Sequence, residues 1–217
     1  MIKFSNVSVD YPYSEGLSNV NVEFKDKEFA FVLGPTGSGK STLLRLIYMD
    51  IYPTNGRVDV KNWSSKKITA RKIRKLRRNI GIVFQDFRLI QNLSVFENVA
   101  LPLIINGYPR KYIKRKVEAI LDEIGLLNSL RQKAGTLSKG EAQRVGIARA
   151  VVKNPFVILA DEPTGNLDPD SSVTVFNLLR KINKLGTAVI MATHDYLPIK
   201  DAPNRRILMD NGKILKK

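Results

Sequence analysis

The sequence predicts an α/β fold in which helices cover a mostly parallel sheet. Short apolar runs of strand length recur along the 217 residues, and segments with helical spacing of apolar side chains separate them. One run, Phe29–Leu33, continues through a glycine-rich loop into a helical pattern. The residues before it alternate between apolar and polar side chains, which is typical of antiparallel strands with one exposed face. We therefore expect a parallel core preceded by a smaller antiparallel sheet.

The antiparallel part begins at the amino terminus. The alternation runs through residues 2–11 and returns at residues 20–24. After a turn at residues 53–56, residues 57–60 are predicted to add a further strand to this sheet. The basic segment that follows is predicted to be helical in its second half, up to Arg78.

The middle of the chain is predicted to be mostly helical. A nearly continuous apolar run at residues 80–84 predicts a buried strand, and residues 94–152 then have helical character. Breaks in the helical part are predicted at Pro102, residues 107–109, Gly125 and Gly135. Ser138 and Glu141 have the spacing of a capping box, which opens a helix that runs to about Lys153.

Two more buried strands are predicted in the last third of the chain, at residues 156–160 and 187–193. Between them, residues 168–169 fit an N-cap and the first position of a helix, and Gly186 lies just past its other end. The segment at residues 210–212, between two short apolar runs, predicts a β-hairpin.

Composition excludes several functional classes. The chain has no cysteine, so disulfides, thiolate metal sites and cysteine catalysis are excluded. The amino terminus lacks the apolar core of a signal peptide, and no run approaches the roughly 20 apolar residues of a spanning helix. We expect a protein that is soluble, or attached to a membrane only through a partner or by charge.

The net charge of +16 is unevenly distributed. Residues 61–78 contain nine basic residues and no acidic one, and residues 110–116 contain a second basic cluster. Such patches bind nucleic acid or an anionic membrane surface, or are simply solvated faces. Few aromatic side chains are interleaved with them, so nucleic acid is the disfavoured partner.

The most informative motif is the loop at residues 34–42, which fits the pattern G-x-x-x-x-G-K-[ST] of phosphate-binding loops. Its glycines let successive backbone N–H groups point at phosphate oxygens, and the start of the following helix adds positive potential. We expect Lys40 to reach the β- and γ-phosphates of a nucleotide and the Ser41 hydroxyl to hold Mg²⁺. The predicted nucleotide-binding residues are Gly34, Pro35, Thr36, Gly37, Ser38, Gly39, Lys40, Ser41 and Thr42.

Three other predicted strands end in polar side chains. Asp161 and Glu162 follow one strand. Gln85 follows another, and His194 follows the third. Because the carboxyl ends of parallel strands meet at one edge of a sheet, these side chains should lie beside the phosphate loop. Asp161 then suits Mg²⁺ coordination, Glu162 suits the orientation or deprotonation of an attacking water, and His194 comes within reach of a γ-phosphate.

In this order, the motifs resemble those of the ATP-binding cassette (ABC) ATPases over essentially the whole chain. The decisive motif is residues 137–144, Leu-Ser-Lys-Gly-Glu-Ala-Gln-Arg, which is similar to the family signature L-S-G-G-[QE]. Ser138 and Gly140 lie at a predicted helix start, which is an anion site. The resemblance implies a P-loop NTPase fold: one nucleotide-binding domain over residues 1–217, with an N-terminal antiparallel β subdomain and an α-helical subdomain inserted at about residues 86–153.

The resemblance also implies how the site works. It implies ATP and Mg²⁺ as cofactors, ATP hydrolysis, and a homodimer on ATP binding in which each signature faces the nucleotide of the other copy. The catalytic residues implied are Glu162, His194 and Gln85, and the metal-binding residues are Ser41, Gln85 and Asp161. The signature residues that touch the other copy's ATP are Ser138, Lys139, Gly140 and Glu141. Asp168 lies in the loop near the partner subunit, and Tyr11 stacks on adenine, with Tyr13 as the alternative.

Lys139 departs from the family pattern, which usually has glycine at this position. A lysine near phosphate is electrostatically favourable, and the N–H donors of the helix start remain. We expect nucleotide binding to be retained, provided that the backbone has a conformation open to a non-glycine residue. A non-hydrolysing ATP switch is the alternative that Lys139 leaves open.

Within the family, residues 76–89 and 97–103 are most similar to the branch that acts in bacterial cell division. This implies an integral membrane partner of the FtsX type, a peripheral position on the cytoplasmic face of the inner membrane, and contact with its anionic surface. The ATPase subunit of a lipoprotein-releasing or other export transporter is the alternative. A nucleic-acid-linked ABC protein is a further one, although those usually carry two cassettes or long coiled-coil inserts.

Overall fold

The computed structural model describes residues 1–11, 14–195 and 202–215, and within these ranges it contains two sheets and six α-helices. The strands are β1 (Ile2–Tyr11), β2 (Ser14–Phe24), β3 (Phe29–Leu33), β4 (Asn55–Val60), β5 (Trp63–Ser64), β6 (Ile80–Val83), β7 (Val157–Asp161), β8 (Ala188–Thr193), β9 (Arg205–Asp210) and β10 (Lys213–Ile214). The helices are α1 (Lys40–Ile47), α2 (Ala70–Arg78), α3 (Val95–Ile105), α4 (Arg110–Glu123), α5 (Lys139–Val151) and α6 (Pro169–Lys184).

The smaller sheet is antiparallel, with strand order β2-β1-β4-β5, which confirms the prediction from the alternating residues. Along β1 the buried residues are Ile2, Phe4, Val7 and Val9. The alternation changes phase between Phe4 and Val7, where the pairing with β2 shifts register. Helix α1 contacts strands of both sheets, so it fixes the phosphate loop relative to each of them.

The larger sheet has strand order β10-β9-β3-β8-β7-β6, and the strands from β9 to β6 are parallel. Strands β3 and β8 are buried along their whole length, as their continuous apolar sequences predict. Because the strands are parallel, the residues that follow β3, β6, β7 and β8 emerge at the same edge of the sheet. This edge receives every strand-end residue that the sequence singled out.

The helical part follows β6 and has an apolar cluster of its own, to which α3, α4 and α5 all contribute. The breaks predicted at residues 107–109, Gly125 and Gly135 are confirmed, since they fall between these helices. In the ranges that the structure describes, no helix combines the length and apolar character needed to cross a bilayer.

The break predicted at Pro102 is wrong, because α3 continues through it. Proline lacks an N–H group, so the carbonyl of Asn98 loses its helical partner there. The neighbours Val99 and Leu103 are buried in the helical cluster and hold the backbone in place. The Asn98 side chain adds a further constraint, since it is buried and exchanges hydrogen bonds of 2.9 and 3.0 Å with the backbone of Ile90.

Both ends of α6 and the final hairpin lie at the residues from which they were predicted. Asp168 caps α6, and its Oδ1 accepts the N–H of Ser171 at 2.9 Å. Gly186, just past the other end, has a φ of +100°, in the left-handed region that favours glycine. Strands β9 and β10 pair antiparallel around residues 211–212.

Candidate nucleotide-binding site

The phosphate loop and three further strand ends enclose a cavity of about 430 Å³ at the carboxyl edge of the larger sheet. Its lining residues are Tyr11, Thr36, Gly37, Gly39, Lys40, Ser41, Thr42, Gln85, Glu162 and His194. Strand β3 leads into the loop, and β6, β7 and β8 lead to the glutamine, the glutamate and the histidine. The convergence predicted from the sequence is therefore present.

The loop between β3 and α1 has a shape that depends on glycine. Gly37 and Gly39 have φ values of +84° and +96°, in the left-handed region. Gly34 lies so close to β9 that a Cβ atom there would be 2.2 Å from the carbonyl oxygen of Met209. The first N–H groups of a helix have no acceptor within it, so the start of α1 offers donors to an anion. This geometry fits a phosphate chain.

Lys40 is buried at the base of this loop. Its Nζ donates to the carbonyl oxygens of Gly34 at 2.8 Å and Pro35 at 2.9 Å. It also lies 3.4 Å from Oε1 of Glu162. The ammonium group is therefore held between the loop and the end of β7, where it places a positive charge against any phosphate in the cavity.

Ser41 and Asp161 meet across the site. The Ser41 hydroxyl donates to Oδ1 of Asp161 at 3.0 Å. Burial raises the pKa of the Asp161 carboxyl, and the hydrogen bond from Ser41 acts in the opposite direction. With Gln85, these residues form a set of oxygen donors, which suits Mg²⁺. The described residues contain no cluster of three or more acidic, histidine or cysteine ligands, and Mg²⁺ at nucleotide sites needs only one or two carboxylates beside the phosphates.

Glu162 is held in a fixed orientation just after β7. Its φ of +46° is unusual for a residue with a side chain, and the side chain is only 12% exposed. Its Oε2 accepts the backbone N–H of His194 at 3.2 Å and lies 2.9 Å from Nδ1 of the same residue. An ionised carboxylate can only accept, so Nδ1 is then the donor. Glu162 thus links Lys40 to His194.

Gln85 reaches the cavity from the loop that follows β6. The backbone carbonyl oxygen of Gln85 accepts a hydrogen bond from Nδ2 of Asn166 at 3.3 Å. Sequence reasoning missed Arg149 of α5, whose guanidinium donates to the carbonyls of Phe87 at 2.8 Å and Arg88 at 2.7 Å. Arg149 therefore fixes the loop that carries Gln85. An arginine between small apolar residues of a buried helix was the signal for this role.

Tyr11 is half-buried at the end of β1 and lines the cavity, so it is placed where a base could stack on it. The alternative, Tyr13, lies outside the described residues.

The signature residues form the predicted cap of α5. Ser138 Oγ accepts the N–H of Glu141 at 3.3 Å, and Glu141 Oε2 accepts the N–H of Ser138 at 2.9 Å. A Cβ atom on Gly140 would lie 2.5 Å from Oγ of Ser171, so the start of α5 packs closely on α6. Within the described part of one chain, residues 138–141 do not line the cavity around the phosphate loop.

Lys139 is the first residue of α5 and is exposed. It has no positive φ, so its backbone has a conformation that any residue adopts. We expect nucleotide binding to be retained only if residue 139 has a backbone conformation that is open to a non-glycine residue. Lys139 has such a conformation.

The family profile described as ABC transporter matches residues 17–165, which include the phosphate loop, Gln85, the signature and Glu162. This chain belongs to the ABC transporter family. It is an ABC-type ATPase, and the family resemblance inferred from its motifs is confirmed.

Curated relatives of this ABC ATPase extend over nearly its whole length. The cell division ATP-binding protein FtsE of Streptococcus pneumoniae is 42% identical over 200 residues, which cover 92% of this chain and 87% of that protein. FtsE of Mycobacterium tuberculosis is 43% identical over 218 residues, which cover 100% and 95%. The methionine import ATP-binding protein MetN of Carboxydothermus hydrogenoformans is 40% identical over 219 residues, which cover 99% and 65%.

A solved structure confirms the ABC fold. The dimeric ATP-binding cassette MJ0796 in a post-hydrolysis state, bound to ADP and Pi, has a TM-score of 0.89 and 36% sequence identity. The comparison covers 100% of this chain and 97% of that one.

Proposed function

We propose that this ABC ATPase binds ATP between two copies of the chain and uses hydrolysis to move a membrane partner of the FtsX type. The process served is bacterial cell division, through regulation of peptidoglycan hydrolases. The similarity to FtsE proteins over nearly the whole chain supports this assignment. The observation that carries the ATPase activity is the cavity in which Lys40, Glu162 and His194 meet beside the phosphate loop.

Two copies complete each site. The capping box of α5 uses the N–H of Glu141, which leaves the N–H groups of Lys139 and Gly140 for an anion. These donors face the γ-phosphate held by the other copy, and the Lys139 ammonium adds positive charge. Asp168 lies in the loop that approaches the partner subunit. The dimeric arrangement of the MJ0796 cassette supports this proposal.

In the closed dimer, Glu162 accepts a proton from a water molecule as the water oxygen bonds to the γ-phosphorus. The bond between this phosphorus and the bridging oxygen of ADP breaks, and ADP and phosphate result. His194 positions the γ-phosphate and the water. Ser41, Gln85 and Asp161 would hold Mg²⁺, which supplies charge neutralisation at the β- and γ-phosphates. Tyr11 stacks on the adenine ring.

A groove on the helical part is the proposed docking surface for the membrane partner. It has a volume of about 1080 Å³, and its lining combines apolar side chains such as Phe96, Ile104 and Ile113 with charged ones such as Arg110 and Lys114. Ile104 is 54% exposed in the groove, and the next residue of α3, Ile105, is 66% exposed. The groove includes residues of α3 and extends to α4. Docking there places the ATPase on the cytoplasmic face of the inner membrane, as a peripheral subunit near anionic lipid.

Replacing Glu162 by glutamine tests the ATPase mechanism. Glutamine keeps the size of the side chain but cannot take the proton, so we expect hydrolysis to fall about 100-fold or more. ATP binding is retained, and the Glu162→Gln protein accumulates as an ATP-bound dimer, measured by phosphate release and light scattering. The matched variant Lys40→Met should bind ATP poorly and stay monomeric. Hydrolysis by Glu162→Gln at the parent rate would show that Glu162 is not the base.

The membrane partner is tested by capture from bacterial membranes with the ATP-bound Glu162→Gln protein. Recovery of an integral subunit of the FtsX type supports the cell-division assignment. A second candidate is the ATPase subunit of another ABC transporter, such as a lipoprotein-releasing or other export system. The 40% identity to the methionine import protein MetN supports a transporter role in general and does not single out export. Recovery of a transporter subunit would establish that candidate instead.

A further inference from the structure

Helix α2 exposes a row of four cations that the ATPase site does not use. Arg71, Arg74, Lys75 and Arg78 line a shallow concavity of about 360 Å³. Their spacing of i, i+3, i+4 and i+7 places them on one face of the helix. All four are exposed. We call these four residues the α2 basic face.

The α2 basic face has no counter-charge of its own. In the described ranges, none of its four cations forms an ion pair or a side-chain hydrogen bond. Arg77, on another side of α2, donates to the carbonyls of Tyr48 at 3.0 Å and Met49 at 2.9 Å. Its guanidinium also lies 3.8 Å from Asp50. Arg77 is therefore part of the fold, whereas the α2 basic face is available to an external anion.

The arrangement of the four cations works against the stability of α2. Arg71 and Lys75, like Arg74 and Arg78, are like charges at i and i+4, a spacing that destabilises an isolated helix. The first turn contains no acidic residue, so Arg71 adds to the positive end of the helix dipole. Solubility does not require this pattern. A dense negative surface would neutralise the repulsion.

The position of α2 relates this face to the proposed docking groove. Helix α2 contacts β6, which is the edge strand of the larger sheet. The same strand leads directly into the Gln85 loop and then into α3 and α4, which form the groove. The α2 basic face therefore lies at the edge of the sheet from which the helical part extends.

We infer that the α2 basic face binds phosphate groups of anionic lipids at the membrane surface, beside the docked partner. This inference rests on the proposed membrane partner. Arginine and lysine suit phosphate oxygens because their hydrogen bonds are charge-assisted. Basic residues near an anionic membrane also gain from its surface potential. The four residues present no aromatic ring for base stacking, so a single-stranded nucleic acid is a poorer fit.

The test measures sedimentation of the full chain with vesicles of phosphatidylglycerol and phosphatidylcholine, and with vesicles of phosphatidylcholine alone. The parent should bind only the anionic vesicles, and higher salt should weaken binding. The variant Arg71→Gln, Arg74→Gln, Arg78→Gln should lose on the order of 100-fold in vesicle affinity, since each basic residue contributes about fivefold. It should hydrolyse ATP at the parent rate, because none of the three lines the nucleotide cavity.

A matched control removes the same charge elsewhere: Lys25→Gln, Lys27→Gln, Lys184→Gln. These lysines are exposed beside the start of β3, three strands across the sheet from β6. The control should lose only a few-fold in affinity. An equal loss in both triple variants would show that net charge, not the α2 basic face, binds the vesicles. Parent-like binding by the α2 variant, or tighter binding of the parent to RNA than to vesicles at equal salt, would also overturn the inference.

Two further measurements separate this inference from its alternatives. Release of bound vesicles by millimolar inorganic phosphate would show a site for the free anion rather than a membrane contact. Capture of the FtsX-type partner in detergent removes the bilayer, so parent and α2 variant should capture it equally. Failure of the parent to capture it would overturn the proposed function, whatever the vesicles show.

Discussion

Lys153, just after α5, is a cation that the fold holds largely out of water. Its Nζ donates to the carbonyl of Arg77 at 2.9 Å, and burial lowers the pKa of its side chain from 10.5 to about 8. The folded value lies below the unfolded one, so between about pH 8 and pH 10.5 the unfolded chain binds more protons than the native chain. Stability therefore rises with pH in this window. Below about pH 8, the lysine is charged in both states, so burying the charge lowers the free energy of unfolding by its full cost.

Replacing Lys153 by methionine should remove this cost. We expect Lys153→Met to raise the free energy of unfolding at pH 7 by about 1 kcal/mol, because relief from burying the charge outweighs the lost hydrogen bond. The difference from the parent should shrink by pH 10, as the parent lysine becomes neutral. Urea titrations at both pH values measure it, and the exposed Lys184→Met is the control. A variant less stable than the parent at pH 7 would show that the hydrogen bond dominates.

At the residue scale, what the sequence reveals depends on whether a role is local. The phosphate loop was predictable because its function requires glycine, lysine and serine at fixed spacing. The roles of Arg149 and Lys153 were not predictable. Each side chain donates a hydrogen bond to a carbonyl that is distant in the chain, and only tertiary packing brings the two groups together.

At the scale of elements, two helices begin with the same device. In α3, Ser94 Oγ accepts the N–H of Glu97 at 3.2 Å, and Glu97 Oε2 accepts the N–H of Ser94 at 2.7 Å. In α5, Ser138 and Glu141 form the same pair of bonds. In both boxes the serine hydroxyl is the main cause of a lowered glutamate pKa. Only the capping box of α5 lies in the signature. Comparing variants of the two boxes therefore distinguishes an effect on helix stability from an effect on nucleotide binding.

Ser138→Ala and Ser94→Ala should therefore act alike on folding and differently on function. Each removes an N-cap, which costs about 1 kcal/mol in the free energy of unfolding. Only Ser138→Ala should weaken the ATP-bound dimer, because we propose that its cap binds the phosphate held by the other copy. Denaturant titration gives the first quantity, and light scattering of each change combined with Glu162→Gln gives the second. Equal dimerisation of the two combined variants would contradict the proposed role of the signature.

Local signals predicted several element boundaries, and Pro102 shows their limit. Caps and glycines marked the starts of α5 and α6 and the end of α6, since these choices are made by neighbouring residues. Pro102 predicted a break for an equally local reason, the missing N–H group. Packing of Val99 and Leu103, before and after the proline, into the helical cluster overrode it, and nothing local to the sequence reports that packing.

On the scale of the whole molecule, one loop connects the nucleotide cavity to the groove of the helical part. The segment after β6 carries Gln85 into the nucleotide cavity and then leads into α3, which lines the groove of the helical part. Arg149 holds this segment to α5, the helix that starts with the signature. Arg149 therefore connects the signature helix, through the loop after β6, to the helix that lines the groove.

The alternation of strands and helices predicted the parallel sheet and the edge at which the site lies. The proposed sharing of the site between two copies has no such signal in periodicity or spacing. It rests on the signature motif, because residues 138–141 do not line the nucleotide cavity within the described part of a single chain.

The proposed docking of the membrane partner in the groove gives the last prediction. Ile104 is 54% exposed in the groove, so Ile104→Asp should cost little stability while replacing an apolar contact with the partner by a charge that docking would have to desolvate. We expect capture of the membrane partner to fall at least tenfold, which is the contribution of one buried apolar side chain. ATP hydrolysis by the isolated protein should be unchanged, because Ile104 does not line the nucleotide cavity. The control is Leu185→Asp at the end of α6, where the leucine is 76% exposed and lies outside the groove. If Ile104→Asp and Leu185→Asp capture the partner equally well, the partner docks on another surface, and the loop after β6 loses its proposed role as the link.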